Sequence, residues 1–248
     1  MKEHVSLPGK RVAKVIARAG ICSRREAEKY IEQGRVTLNG ETLTAPGTNI
    51  TAVDDLRIDG ERLPTLDPPR LWLFNKPTGL VTTHKDECGR QTVFDLLPQS
   101  LPRVISIGRL DLNSEGLLML TNDGELAREL EHPKRGWTRR YRVRVYGAIK
   151  ETIFKSISKG VTVDGVTYGP IKVKVDKALG VNSWLTITLK EGKNREIRKV
   201  MEYAGLKVSR LIRTAYGPFQ IGSLKMGAIK EVPKKVLKEQ LGSAFPET

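Results

Sequence analysis

Apolar positions recur at helical spacing near the amino terminus and in alternation along much of the remaining chain, so helices come first and strands dominate later. Val12, Val15, Ile16 and Ala19 share one side of a helix, while Lys10, Arg11, Lys14 and Arg18 fall mostly on the other. Gly20 stops it. Ser23-Arg24-Arg25-Glu26 reads as a capping box, and the helix it opens runs to about residue 33, with Gly34 fit for the left-handed position past its end. Asn39-Gly40 then sits between Val36-Thr37-Leu38 and Glu41-Thr42-Leu43, a tight-hairpin signal because both central turn positions need positive φ. Beyond residue 70 the runs Leu71–Phe74, Val104–Ile107, Leu117–Leu120, Arg139–Tyr146, Ile171–Val175 and Trp184–Leu189 read as strands. Asp123–Glu131, Lys150–Ser158 and Asn194–Ala204 read as helices. Without regular strand–helix alternation, the pattern predicts an α+β fold on a mainly antiparallel mixed sheet.

Three prolines within residues 63–70 stiffen the chain and remove backbone donors, which places a linker there between a small unit, 1–62, and a larger one, 71–248. The 43 Lys plus Arg against 28 Asp plus Glu leave a net charge of +15, which points to a polyanionic partner once the basic residues are seen to cluster. Two cysteines and three histidines, widely spaced, supply neither a disulfide framework nor a metal-ligand set. Met1-Lys2-Glu3-His4 leads into no apolar core and no stretch approaches a membrane span, so a cytoplasmic protein without membrane attachment is expected. With no apolar stripe left unassigned, a monomer is expected.

The first unit resembles the S4 RNA-binding domain through Arg11-Val12-Ala13-Lys14, Gly20 to Ala27 and Gly34 to Gly40. The resemblance implies that Lys14, Ser23, Arg24, Arg25 and Arg35 face an RNA backbone, and basic side chains near a helix start suit phosphate oxygens. Each of them equally fits an ordinary solvated basic face.

The densest polar segment is Gly108-Arg109-Leu110-Asp111-Leu112-Asn113-Ser114-Glu115-Gly116, which runs into Leu117-Leu118-Met119-Leu120-Thr121-Asn122-Asp123-Gly124. An aspartate in such a loop is ordinarily a turn-former. The full segment, however, resembles the catalytic motif of the pseudouridine synthases, in the ribosomal branch that pairs an S4 module with a catalytic domain. Asn75-Lys76-Pro77-Thr78-Gly79, Arg140-Tyr141-Arg142-Val143 and Glu191 to Lys199 support it in the same order. The resemblance implies isomerisation of a uridine in ribosomal RNA, in the large subunit rather than the small, with no cofactor.

It also assigns roles. Asp111 becomes the nucleophile, attacking ribose C1′ or uracil C6, and Tyr141 stacks on the target base, although by alternation alone it is a core tyrosine. Arg198 is expected to pair with Asp111 and hold it ionised, the alternative being an i, i+4 contact with Glu202. Ile197 closes the apolar side of the pocket, Arg195 on the same helix is expected to bind the substrate, and Arg109 fills the space a flipped uridine leaves. Lys76 and the basic run 134–140, with Trp137 available to stack, are expected at phosphates and bases. Two other classes compete: a noncatalytic RNA-binding factor for ribosome assembly, acting on an assembly intermediate, and a DNA-binding protein. The latter lacks a convincing recognition helix.

Overall fold

The computed structural model describes residues 9–51, 54–242 and 245; the amino-terminal stretch considered for a leader lies outside them. Helix α1 (Val12–Arg18) packs on α2 (Arg24–Glu32), following the two-residue strand β1 (Lys10–Arg11). The capping box forms as expected: Glu26 N–H donates to the Ser23 hydroxyl at 3.2 Å, and the Glu26 carboxylate accepts from Ser23 N–H at 2.8 Å. β2 (Val36–Leu38) and β3 (Glu41–Thr42) form the hairpin, with Asn39 and Gly40 at φ 53° and 88°. β4 (Asn49–Ile50) pairs with β1, while β5 (Leu56–Ile58) and β6 (Glu61–Arg62) complete a four-stranded sheet. Val12, Ile16, Ala27, Ile31, Val36 and Ile58 close a small core between these helices and strands.

Residues 63–70 form no regular element. Where they pass α1, Arg18 donates to the Asp67 carbonyl and, at 2.6 Å, to the Asp123 carboxylate. The basic helix thus contacts the segment after it in the chain as well as carrying exposed cations.

A nine-stranded sheet makes up the rest. Its members are β7 (Leu71–Lys76), β8 (Ile105–Ile107), β9 (Glu115–Thr121), β10 (Arg139–Tyr146), β13 (Lys172–Leu179), β14 (Asn182–Leu189), β15 (Lys207–Tyr216), β16 (Phe219–Gln220) and β17 (Ile229–Glu231). The main path runs β13-β14-β10-β15-β9-β7-β17, with β8 on β9 and β16 on β15. A separate hairpin, β11 (Val161–Val163) and β12 (Val166–Tyr168), turns at Asp164-Gly165. Helices α3 (Gly124–Glu131), α4 (Glu151–Ile157), α5 (Glu196–Tyr203) and α6 (Lys234–Leu241) cover parts of the sheet. The structure adds β11, β12, α6 and the long β15 to the elements predicted by pattern. The Asp-Gly turn was a readable signal for the first two.

Two apolar clusters lie on opposite faces. Odd-numbered residues of β10 (Tyr141, Val143, Val145) join Leu185, Ile187, Ile197, Val200 and Met201 in one, and Leu117, Met119, Leu126, Leu237 and Phe219 form the other. Strand pairing is antiparallel throughout the described path except at β9 and β15, where Glu115 faces Ile212 and Gly116 faces Arg213 in parallel. That junction joins the two halves of the sheet and stands at the end of the Asp111 loop. Gly116 has φ 97°, and any Cβ there would run into the Arg213 backbone, so the chain needs glycine for this approach.

Candidate active site

The loop 108–114 enters β9 beside the start of β10 and the end of β15. A cavity of about 290 Å³ opens there, lined by Arg109, Asp111, Tyr141, Arg195 and Ile197, together with Glu196, Arg213 and Tyr216. Five residues proposed from sequence, spread over 89 positions from 109 to 197, are therefore brought to one cleft. Asp111 is partly exposed, and among the described residues its carboxylate forms no ion pair or hydrogen bond. Tyr141 keeps only 8% of its surface exposed, at the cavity wall. Ile197 lines the same cavity as an apolar wall, placed by the same helical spacing that sends Val200 and Met201 into the core. Arg109 is exposed at the rim.

Lys76 departs from its expected role. It is wholly buried and donates through Nζ to the carbonyls of Pro77 at 3.0 Å, Asp111 at 3.2 Å and Ser114 at 2.9 Å. A lysine with no exposed surface cannot meet a phosphate; it fastens the Asp111 loop from below. Burial pushes its ammonium down to about 8, against the upward pull of the Asp111 and Glu115 charges.

Arg198 also binds backbone instead of the carboxylate. Nη2 donates to the Asn113 carbonyl at 2.7 Å and Nη1 to that of Val208 at 3.3 Å, which ties the loop to α5 and β15. Among the described residues no ion pair joins it to Asp111 or to Glu202. Burial and the neighbouring Arg195 lower its pKa, while the charge of Asp111 raises it, so the two still sense each other through space. The guanidinium sits behind the loop because its hydrogen-bond donors satisfy carbonyls that would otherwise be stranded.

Pattern reading gave no role to Arg213, Glu196 and Tyr216, which also line the cleft. Arg213 is buried, donates through Nε to the Leu117 carbonyl at 2.7 Å, and leaves Nη2 without a partner. Its position two residues after Leu211 on a strand was the available signal. Glu196, also buried, accepts from Lys193 N–H at 2.8 Å; burial, reinforced by the adjacent Glu191, pushes its carboxyl up to about 7. Tyr216 accepts from Arg139 at 2.8 Å and donates to the Leu130 carbonyl at 3.2 Å. Glu115, buried beside the loop, accepts two bonds of 2.8 Å from Arg210.

Trp137 packs edge-on against Tyr216 and Phe219, with ring centroids 6.0 Å away in each case, and is no free stacking platform. Around the first module, Lys14, Arg24 and Arg25 are exposed, although Arg24 lies 3.3 Å from Glu28. The Ser23 hydroxyl serves the cap. Arg35 is bound to Asp59 by bonds of 3.0 and 2.5 Å through Nε and Nη2 and lies over the Tyr30 ring at 4.0 Å, so part of its guanidinium is already engaged.

The family model described as RNA pseudouridylate synthase matches residues 70–203, more than half of the chain, and the S4 domain model matches residues 10–56. The chain belongs to the RNA pseudouridine synthase family. It is 51% identical over 229 residues to an RNA pseudouridine synthase of Rickettsia felis, covering 92% of this chain and 99% of that relative. It is 41% identical over 231 residues to the ribosomal large subunit pseudouridine synthase B of Pasteurella multocida, covering 90% of this chain and 67% of the relative. A solved pseudouridylate synthase superposes with a TM-score of 0.65 at 25% identity, covering 95% of this chain and 99% of that one. The protein is thus an enzyme acting on RNA. Among the described residues no helix is long and apolar enough to cross a membrane.

Proposed function

We propose that the enzyme converts a uridine of large-subunit ribosomal RNA to pseudouridine, with Asp111 as nucleophile. The observation that carries this reading is the Asp111 carboxylate, unpaired among the described residues, held on a loop pinned by Lys76 and Arg198 and lining with Tyr141 a cavity of about 290 Å³. The name of the Pasteurella relative supports the choice of subunit.

The target uridine leaves its stack at a cost of a few kcal/mol, offset by burial against Tyr141 and Ile197. Arg109, exposed at the rim, is placed to occupy the gap. Asp111 bonds to ribose C1′ or uracil C6, the C1′–N1 bond breaks, the base turns, and C1′ bonds to C5 while the bond to Asp111 breaks; the C5 proton leaves and N1 takes one up, so atoms balance without an external reactant. Arg195 and the S4 cations Lys14, Arg24 and Arg25 hold the RNA backbone.

Tritium release from RNA labelled at uridine C5 tests this. Wild type should release tritium from large-subunit RNA, and Asp111→Asn should release none while binding the RNA as before. Equal release by the variant would refute the nucleophile. Release from small-subunit RNA alone would refute the subunit, and release only from partly assembled particles would identify an assembly intermediate as substrate.

A further inference from the structure

The central sheet has a bare half. Helices α3 and α6 cover one face of β7, β8 and β9, but among the described residues no helix packs on the same face of β13, β14 and β10, and outward residues there are exposed or half-exposed. β10 alternates strictly, with Arg140, Arg142 and Arg144 outward while Tyr141, Val143 and Val145 are buried. The pairing register aligns them with outward residues of the next two strands. Arg140 faces Thr188, which faces Lys172; Arg142 faces Thr186, which faces Lys174. On the other side Arg144 lies opposite Arg210, whose own charge is taken up by Glu115.

An exposed antiparallel face is ordinarily polar with both signs mixed, because opposite charges across strands stabilise and like charges destabilise. Here the five cations Arg140, Arg142, Arg144, Lys172 and Lys174 have no carboxylate within ion-pair distance among the described residues. The acid that adjoins them on β13, Asp176, accepts from Thr186 at 2.7 Å. Arg142 also lies over the Trp184 ring at 4.6 Å, which holds its guanidinium against the sheet instead of leaving it free in solvent. Cations repeat about every 6.8 Å along the strands and sit about 9.6 Å apart across them, since a threonine strand separates each pair. Such a grid, five cations around the single acid Asp176, fits a partner with closely repeated negative charge.

We infer that this sheet face, on the opposite side of β10 from Tyr141, is a second RNA-binding surface that holds the phosphate backbone of substrate RNA outside the nucleotides entering the cleft. The inference rests on the proposed ribosomal RNA substrate and adds a surface to it. Charge complementarity selects the occupant: a long RNA reaches the cleft and this face together, whereas a short hairpin fills the cleft alone.

The test uses the full chain carrying Arg142→Gln, Arg144→Gln and Lys174→Gln together, with a large-subunit RNA fragment of several hundred nucleotides and a hairpin of about a dozen cut from it. At 0.15 M salt each phosphate neutralised is worth roughly 4-fold in affinity, so the fragment should bind roughly 50-fold more weakly, and its log–log salt slope should flatten by about 2. Hairpin affinity, single-turnover rate at saturation and melting midpoint should stay at wild-type values, and the Lys-for-Arg variant Arg142→Lys with Arg144→Lys should bind the fragment normally. A fragment slope and Kd within 2-fold of wild type would overturn the proposal. So would equal weakening on the hairpin, or loss of binding to phosphatidylserine vesicles with RNA binding intact. Because the readout is binding, it scores this face even if wild type converts no uridine in the fragment, an outcome that bears on the functional reading alone.

Discussion

Replacing Lys76 by methionine separates a structural lysine from a phosphate-binding one. Methionine keeps the apolar stem and fills most of the space, but removes three charge-assisted bonds to the carbonyls of Pro77, Asp111 and Ser114. Bonds to a charged group contribute roughly 1.5–3 kcal/mol each, and removing the charge also relieves the desolvation that holds the ammonium at about 8. The remainder is the cost of stranding carbonyls inside the fold, so a net loss of about 3–5 kcal/mol is expected. Because those carbonyls define the Asp111 loop, kcat should fall by roughly 100-fold, the size of effect a 1 Å displacement of a reacting group produces. Urea unfolding gives the first quantity and single-turnover tritium release the second. RNA affinity and its salt slope should not change, since Lys76 has no exposed surface. A salt slope flattened by about 0.7–0.9 with stability intact would refute the reasoning and restore a phosphate contact.

Other perturbations draw on the same geometry. Glu196, raised to about 7, keeps its proton in the folded protein over a range where the unfolded chain has lost it. Stability should therefore fall as pH rises from about 4.5 to 7, by on the order of 3 kcal/mol, and Glu196→Gln should flatten that slope in urea titrations at pH 5 and pH 8. Gly116→Ala places a Cβ against the Arg213 backbone at φ 97° and should cost at least about 2 kcal/mol in denaturant unfolding. Arg198→Lys cannot span the Asn113 and Val208 carbonyls with one planar group; single-turnover kinetics should show roughly 10-fold slower chemistry with unchanged RNA binding.

Features set by neighbours in the chain were legible without the structure. The Ser23–Glu26 capping box, the Asn39-Gly40 hairpin and the alternation that buries Tyr141 while exposing Arg140 and Arg142 all depend on bonds or periodicities within a few residues. The Asp111 segment was legible as a resemblance, which led to a cleft that Asp111 shares with Tyr141 and Ile197. Tertiary structure decided what long-range packing decides: the parallel meeting of β9 and β15, the covering of the sheet by α6, and the entry of Arg213 and Glu196 into the cleft. It also redirected Lys76 and Arg198 from ligands to backbone carbonyls. Their sequence neighbours mark them as cations near a catalytic loop, but a cation's partner is whichever acceptor is buried within reach, and that is fixed only when residues more than 30 positions apart come together.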